Sequence, residues 1–355
     1  MQMACEGCDR VVAIPRSCGN RHCPLCQGAR QLKWCESVCG RLPDVAHFHV
    51  VFTVPATLGE FYTGNVKAAS RVHFQAVKET LAQFMAQNWK LEGGFLAVLH
   101  TWGQTLNWHP HVHVLVPAGG FDPESGKWVA VRDCYLFAVQ ALAKVYRAIF
   151  LRLLEALEES TEMRWPEALQ SKARRLSWRT AMSQESWNVY SRATLGNTRA
   201  VVRYLARYTN RVAISKRRIR HFDATTGKVV IDYKDYRDRS RPRHMTLHLR
   251  ELVRRFSRHI APQGLRRIRY GGYLNPASRY RAALAALPKV GERAASTFVH
   301  PCPSCGATNW TLIAIHIRLP RDEHRPRFTD RTPPGFTSRC AQRRNRFSLR
   351  ASQPP

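Results

Sequence analysis

Two CxxC motifs lie close together near the beginning of the sequence. Their cysteines are Cys5, Cys8, Cys23 and Cys26. Four thiolates on two tight turns can hold a tetrahedral zinc ion without another ligand. We therefore predict a zinc site made of these four cysteines. Cys18 and His22, which lie between the motifs, are substitutes if the first motif binds imperfectly.

A third CxxC motif, formed by Cys302 and Cys305, lies far along the chain. Alone it supplies only two ligands, which is too few for a structural zinc ion. It could form a second zinc site only with distant partners such as His300 or Cys340. We predict a second zinc knuckle here as the weaker of the two assignments.

The segment WHPHVHVLVP, residues 108–117, carries two histidines on a predicted strand. Because side chains alternate along a strand, His111 and His113 share one face and Val112 lies on the other. Their neutral imidazoles can bind a divalent ion such as Mg²⁺ or Mn²⁺ and leave positions open for phosphate chemistry. The alternative is a strand edge with two half-exposed histidines. The apolar residues that follow favour a buried strand, where polar rings without a role would be costly.

A third ligand for this ion has three candidates. We choose His100, because it lies on the preceding strand of a predicted hairpin and can face the pair. His49, on an earlier predicted strand, is the second choice. Pro110 is expected to redirect the backbone between His109 and His111, which disfavours His109.

Two tyrosines, Tyr204 and Tyr208, are four residues apart on a predicted helix and so share one face. A tyrosine oxygen can attack a phosphodiester and hold one strand end covalently. A second tyrosine within reach would allow a second strand to be cut. The alternative is that both rings pack against a core. Arg203, Arg207 and Arg211 interleave with the tyrosines and suit contact with a phosphate backbone.

The hydrophobic pattern predicts the elements that position these residues. Alternation of apolar residues from Phe48 to Val54 indicates a strand that ends at Pro55. Further strands are predicted at 93–103 and 109–120, with 104–108 as the hairpin connection. Residues 218–236 are typical of a second hairpin with Thr226 and Gly227 at its turn. Helices are predicted at 64–89, from about 134, over at least the first half of 198–215, and at 248–262.

Composition limits the class of protein. The 355 residues suffice for two or three compact units, and 44% hydrophobic residues can fill a core. A formal net charge of +31 favours nucleic acid as the partner. Neither a membrane-spanning apolar run nor a secretory signal is present, so we expect no membrane association. Eleven cysteines without a signal indicate metal binding in a reducing compartment, the cytoplasm.

These features divide the chain into four predicted regions. They are a zinc-binding, DNA-contacting module at 1–40, a catalytic domain at 44–275 with a helical insertion at about 134–190, a tail at 276–317 that contains the third CxxC motif, and an Arg/Pro-rich end at 318–355. The end lacks periodicity, and we expect it to be disordered.

Five sequence blocks resemble one family when taken in order. They are SCGNRHCPLCQ (17–27), HFHVVFTVP (47–55), HTWGQTLNWHPHVHVLVPAGG (100–120), YLARYTNRVAIS (204–215) and RIRYGGYL (267–274). The chain, up to about residue 306, resembles the HUH-type rolling-circle transposases of bacterial insertion sequences, in particular the two-tyrosine group with an N-terminal zinc-binding region. Members of that group usually begin further upstream, so we expect an N-terminally shortened copy.

The resemblance implies an α+β fold: a ferredoxin-like antiparallel sheet of the HUH endonuclease type, with helical insertions and a small zinc-binding module before it. It implies that His111 and His113 hold the catalytic metal and that Tyr204 and Tyr208 are the nucleophiles. In that family a tyrosine takes the 5′ side of the nick as a phosphotyrosine and liberates a 3′-OH. The implied partners are single-stranded transposon ends and target DNA, at the nucleoid.

Two alternatives stay open from the sequence. A plasmid replication initiator or a relaxase would use the same chemistry for another purpose. A zinc-ribbon protein that binds nucleic acid without catalysis would use the histidines and tyrosines only for structure. A covalent adduct with single-stranded DNA that depends on a tyrosine would exclude the second alternative.

Overall fold

The computed structural model describes residues 2–8, 10–13, 20, 28–131, 136–159, 163–194, 198–210, 213–236, 238–290, 302, 304–307 and 310–314. The chain forms two compact units. The smaller combines Met1–Ile14 with Cys302–Pro355, and the larger is Pro15–Pro301. This grouping differs from the predicted boundaries, because the beginning of the 1–40 module pairs with a strand beyond residue 301. The expected disordered end, 318–355, lies outside the described residues.

The strands, in chain order, are β1 (Gln2–Cys5), β2 (Val11–Ala13), β3 (His47–Thr53), β4 (Glu92–Trp102), β5 (Trp108–Pro117), β6 (Gly119–Phe121), β7 (Trp128–Ala130), β8 (Val189–Ala193), β9 (Ile219–Asp223), β10 (Lys228–Asp235), β11 (Arg241–His248), β12 (Ile268–Gly272) and β13 (Trp310–Ala314). The helices are α1 (Gly28–Cys39), α2 (Gly59–Gly64), α3 (Val66–Phe84, continued by a π-helical turn Met85–Trp89), α4 (Val139–Glu158), α5 (Lys172–Gln184), α6 (Thr198–Asn210), α7 (Leu249–Ser257) and α8 (Arg281–Ala286).

An antiparallel sheet in the order β7-β6-β4-β5-β3-β8 is the centre of the larger unit. The strand β12 pairs with β4 beside β6. The predicted hairpin is confirmed, since β4 and β5 pair with His100 opposite His111. The structure therefore shows the α+β class with an antiparallel sheet that the sequence predicts. Strand β5 lies between two neighbours, which places its histidines in the middle of the sheet.

The two faces of this sheet carry different layers. On one face, Val112 and Val114 of β5 join a large apolar cluster with residues of α3 and α4. In α4, Leu142, Tyr146, Phe150 and Leu154 are buried at four-residue spacing, as an amphipathic helix requires. The opposite face packs against α1 and α6 through a second cluster. The histidines of β5 lie on this second face, because the side chains of a strand alternate.

A separate three-stranded sheet has the order β11-β10-β9. The predicted hairpin is confirmed, with β9 ending at Asp223, β10 beginning at Lys228, and Gly227 at a φ of 64° in the turn. The strand β11 was not predicted, because only Met245 and Leu247 among its eight residues form an apolar alternation. Its side chains are mostly exposed. Helix α7 packs beside it and buries Leu252.

Two parts of the predicted helical insertion differ from the structure. The helix expected from about residue 134 begins at Val139, after the buried residues Leu136 and Phe137. The stretch taken as helical up to residue 190 ends in a strand, β8, which adds to the edge of the sheet beside β3. A five-residue edge strand with alternating burial carries too weak a sequence signal to predict.

The smaller unit contains a three-stranded antiparallel sheet of order β13-β1-β2. Ala4 lies opposite Thr311 on one side and opposite Val11 on the other. Among the described residues of the whole chain, no helix is long and apolar enough to cross a membrane.

Candidate active site

Three histidines meet on the α6 face of the central sheet. His100 and His111 lie opposite each other in the β4–β5 ladder, and His113 follows two residues later on the same face. The ring centroids of His100 and His113 are 4.2 Å apart, and those of His111 and His113 are 4.8 Å apart. One nitrogen from each ring lies within 4.8 Å of the others. The structure thus brings the predicted pair together with the preferred third candidate, His100.

Hydrogen bonds hold the rings of the pair in one orientation. The Nδ1 of His111 lies 2.7 Å from the carbonyl oxygen of His109 and must donate to it. The Nδ1 of His113 lies 2.9 Å from the Nε2 of His49. In both rings the nitrogen in a position to bind an ion is therefore Nε2. Such partners on the second nitrogen are typical of metal-binding histidines, since they fix the tautomer and the ring direction.

His49, the second choice for the third ligand, occupies a different place. Its ring stacks on that of His113 with centroids 5.1 Å apart and an interplanar angle of 9°. It lies outside the group of three whose nitrogens converge. The contact between His49 and His113 is the one expected if His49 orients the ring of His113.

Burial keeps these imidazoles uncharged near neutral pH. It lowers the pKa of His111 to about 4 and the pKa of His49 to about 4. The pKa values of His100 and His113 lie well below the ordinary value for the same reason. A neutral imidazole has a lone pair for a metal ion, whereas a protonated one has none. Three convergent neutral nitrogens therefore fit a divalent cation.

Helix α6 places Tyr204 against this cluster. The centroid of its ring lies 5.8 Å from the ring of His113 and 6.1 Å from that of His49. Val202 and Leu205 are fully buried on the sheet side of the helix. Tyr204 itself is half-buried beside the histidines. Tyr208 lies in the next turn of α6, and its side chain is outside the described residues.

Both ends of α6 are tied to the sheet region. At its first residue, the hydroxyl of Thr198 lies 3.1 Å from Nδ1 of the buried His47 on β3. Near its last turn, the buried Arg267 donates from Nη2 to the carbonyl oxygen of Thr209 at 2.9 Å. These contacts set the position of the helix relative to the strands, and therefore the position of Tyr204.

The predicted DNA-contacting arginines are described only in part. Arg203 is exposed on α6. The side chain of Arg207 and the whole of Arg211 lie outside the described residues. A residue that the sequence did not single out also lies at the site, since Tyr190 of β8 is 51% exposed and its ring is 6.5 Å from that of His49. Only the pairing of β8 with β3 could have revealed it.

The predicted zinc ligands separate into two groups. Cys23 and Cys26, and the substitutes Cys18 and His22, lie outside the described residues. In the smaller unit, Cys5 and Cys8 lie beside Cys302 and Cys305. The proposed distant partners of the third motif, His300 and Cys340, are also outside the described residues. The third CxxC motif was visible in the sequence, but its proximity to Cys5 and Cys8 was not predicted.

A histidine–hydrophobic–histidine motif on a central antiparallel strand, faced by a tyrosine on a helix, defines the HUH class expected from the sequence. Family comparisons agree. Residues 94–281 match the family model described as "Putative transposase", and residues 1–54 match the model described as "Transposase zinc-binding domain". The chain belongs to this family of transposases, which is the assignment that the five sequence blocks predicted.

Two curated relatives support the same family. The protein named as transposase y4qJ of Sinorhizobium fredii (strain NBRC 101917 / NGR234) is 36% identical over 283 residues, which cover 78% of this chain and 70% of the relative. The transposase for insertion sequence element IS801 of Pseudomonas savastanoi pv. phaseolicola is 30% identical over 302 residues, which cover 84% of this chain and 70% of the relative.

Solved structures of a conjugative relaxase, TrwC, are similar over less than half of the chain. The metal-free complex with oriT DNA has a TM-score of 0.26 and 15% identity, covering 45% of this chain and 72% of that chain. The metal-bound complex with oriT DNA has a TM-score of 0.25 and 14% identity, and the match covers 46% of this chain and 71% of that chain.

Proposed function

We propose that this chain nicks and rejoins single-stranded DNA at transposon ends, with Tyr204 as a nucleophile and a divalent ion held by three histidines. The observation that carries the proposal is the position of the Tyr204 ring, 5.8 Å from the ring of His113. The membership of this chain in a family of transposases supports DNA as the substrate. The chemistry that those residues can perform is strand cleavage by transesterification.

The ion would be bound through Nε2 of His111 and of His113, with His100 as the third ligand. When bound, a divalent ion polarises a phosphoryl oxygen and stabilises the charge that develops during displacement. Nitrogen donors favour Mn²⁺ over Mg²⁺, which prefers oxygen ligands. His49 would act as a positioning residue, because it contacts His113 rather than the convergent nitrogens.

Strand cleavage follows from the position of the phenol. The Tyr204 oxygen forms a bond to phosphorus, and the bond from phosphorus to the 3′ oxygen breaks. The phenol loses its proton, and the 3′ oxygen gains a proton to become a hydroxyl. The product is a 5′-phosphotyrosine and a free 3′-OH. Rejoining reverses the same exchange with a new 3′-OH. Tyr208, one helical turn further along α6, would supply a second nucleophile for the second strand.

Basic residues in α6 and just after it would guide the substrate. Arg203 is exposed on the helix that carries Tyr204, and Arg207 and Arg211 follow at four-residue spacing. Arginines placed in this way contact phosphates without regard to sequence. Because each such contact releases counterions, binding should weaken steeply as salt increases.

The decisive experiment is mass spectrometry of the full chain after incubation with a single-stranded oligonucleotide that carries a transposon end and Mn²⁺. We expect a nucleotide adduct on Tyr204 or Tyr208. Tyr204→Phe should remove the adduct at that position while DNA binding in a filter or anisotropy assay stays near wild type. Excess chelator should stop cleavage, because the histidines are proposed to act through the ion.

Tyr190→Phe is the matched control, because it removes a phenol that also lies beside His49 but is not on α6. This variant should retain the adduct. An adduct on Tyr190, or cleavage that continues in excess chelator, would refute the assignment. DNA binding without any adduct would favour the non-catalytic zinc-ribbon alternative.

A further inference from the structure

Two CxxC turns lie next to each other in the smaller unit, although about 300 residues separate them in the sequence. The Sγ atoms of Cys5 and Cys305 are 3.6 Å apart, and so are those of Cys8 and Cys302. All four sulfurs lie within 4.8 Å of one another. Both 3.6 Å pairs therefore join one turn to the other, and each turn supplies two of the four sulfurs.

These distances match one kind of site. A disulfide requires sulfurs about 2.05 Å apart, so the four thiols are not paired in this way. Sulfurs bound to one tetrahedral zinc at about 2.3 Å lie about 3.8 Å from each other. The observed 3.6 Å is close to that tetrahedral edge.

The backbone around both turns is arranged as in a knuckle. The amide of Gly7 points at Sγ of Cys5 at 3.4 Å, and the amide of Gly306 donates to the carbonyl of Cys302 at 2.8 Å. A Cβ at position 7 would lie 2.8 Å from Cβ of Ala307 and 3.3 Å from Sγ of Cys305. Only a glycine permits the first turn to approach the second this closely.

Strand pairing holds the same two segments together. Strand β1 ends at Cys5 and pairs with β13, so that Cys5 lies opposite Trp310. The side chain of Arg10 donates to the hydroxyl of Ser304, which joins the turns outside the cluster. The sheet and the thiols therefore independently join the segment before residue 14 to the segment after residue 301.

We infer that one zinc ion is bound by four thiolates from two distant parts of the chain, namely Cys5, Cys8, Cys302 and Cys305. The ion closes the smaller unit, because neither turn has enough ligands without the other. The N-terminal motif then completes its site with the third CxxC rather than with Cys23 and Cys26. A zinc-binding domain matched over residues 1–54 therefore requires residues near 302–305 to hold this ion.

The test measures zinc per chain in the purified full-length protein by atomic emission. Cys302→Ser with Cys305→Ser should lose one equivalent of zinc relative to wild type, and Cys5→Ser with Cys8→Ser should lose the same equivalent. The quadruple variant should lose no more than either double variant, because all four ligands serve one ion. Cys35→Ala with Cys39→Ala removes two thiols of α1 outside the cluster and should keep full zinc content.

A second measurement needs no variant and stays decisive if a variant fails to fold. Cys8 and Cys305 are exposed, so N-ethylmaleimide can reach both of them when no ion is bound. In the zinc-loaded wild type we expect all four cysteines to react at least about tenfold more slowly than after chelation, and to become reactive together. Zinc retained in full by the Cys302/Cys305 variant, a quadruple variant that loses two equivalents, or a Cys305 that reacts freely while Cys8 is protected would overturn the inference.

Discussion

The histidine cluster and the cysteine cluster are assembled over very different distances along the chain. His100 and His111 come from two strands of one hairpin and are paired by its register. Cys8 and Cys302 are 294 positions apart and meet only because the segments that carry them fold into the same unit. A site within a hairpin is specified by local alternation, whereas a site between remote segments depends on long-range pairing.

The largest expected effect comes from removing one ligand of the histidine cluster. His113→Ala should lower the rate of oligonucleotide cleavage by about a thousandfold, because the loss of a Lewis acid costs several kcal/mol of transition-state stabilisation. Gel analysis of single-turnover cleavage measures it. His221→Ala, an exposed histidine of β9, is the control and should cleave normally. Equal losses in both variants would show that the cluster has no special role.

The support that the sheet gives to the histidine cluster can be tested at Gly272. This residue has a φ of 56°, and a Cβ there would lie 1.8 Å from the carbonyl oxygen of Gly93. Gly272→Ala should lower the free energy of unfolding by about 3 kcal/mol, because β12 must shift away from β4. Gly264→Ala, at a φ of 81° with no atom within 4 Å, should cost only about 1 kcal/mol. Urea unfolding distinguishes them, and equal costs would mean that the approach of β12 to β4 is not tight.

Variants of His49 can show whether this residue binds the ion or only orients His113. His49→Ala should weaken Mn²⁺ binding by about 10- to 100-fold, since the hydrogen bond on Nδ1 of His113 is lost. Titration followed by electron paramagnetic resonance measures the affinity. His49→Gln can still accept from His113 and should recover most of it. A glutamine variant as weak as the alanine variant would instead indicate that His49 binds the ion.

Burial of neutral imidazoles also predicts how the larger unit responds to acid. Burial lowers the pKa of His259 to about 4, and its Nε2 donates to the carbonyl of Leu106 at 3.1 Å. As the pH falls, this histidine takes up a proton near pH 6.5 in the unfolded chain but only near pH 4 in the folded chain. Its effect on the free energy of unfolding is therefore absent above pH 6.5, and the protein loses stability as the pH drops from 6.5 towards 4. At pH 4.5 this histidine should lower the free energy of unfolding by about 2.5 kcal/mol relative to pH 7.

His259→Gln keeps a donor for Leu106 and an acceptor for the hydroxyl of Thr101, which lies 3.2 Å from Nδ1. The variant has no group at this position that takes up a proton between pH 7 and pH 4.5. Chemical unfolding at pH 7 and pH 4.5 should therefore show a smaller acid loss for this variant than for wild type. The same loss in both proteins would mean that His259 is not protonated selectively in the unfolded chain.

The smallest effect on cleavage should come from the cysteine cluster. Cys302→Ser with Cys305→Ser should lower the rate of cleavage of a short single-stranded oligonucleotide by less than about tenfold. The reason is that the catalytic ion would be held by the histidine cluster, which contains none of these cysteines. Single-turnover rates with manganese in excess give the value. A thousandfold loss in this variant would show that the two clusters depend on each other.

Local patterns in the sequence determined much of the larger unit. Alternation in residues 108–117 predicted β5 and the shared face of His111 and His113, and the apolar stripe of 198–215 predicted the helix that carries Tyr204. The turn at Gly227 was also visible, because few residues adopt a positive φ without strain. Each of these signals depends on neighbours within one turn or one hairpin.

Only the tertiary structure decided which distant residues meet. It placed His100 in the converging group and His49 beside His113, a choice that strand pattern alone left open. It brought Tyr190 to the site through an edge strand. It also gave Cys5 and Cys8 their partners beyond residue 301. Contacts of this kind arise from strand pairing and packing between remote segments, and no periodicity within either segment encodes the identity of its partner.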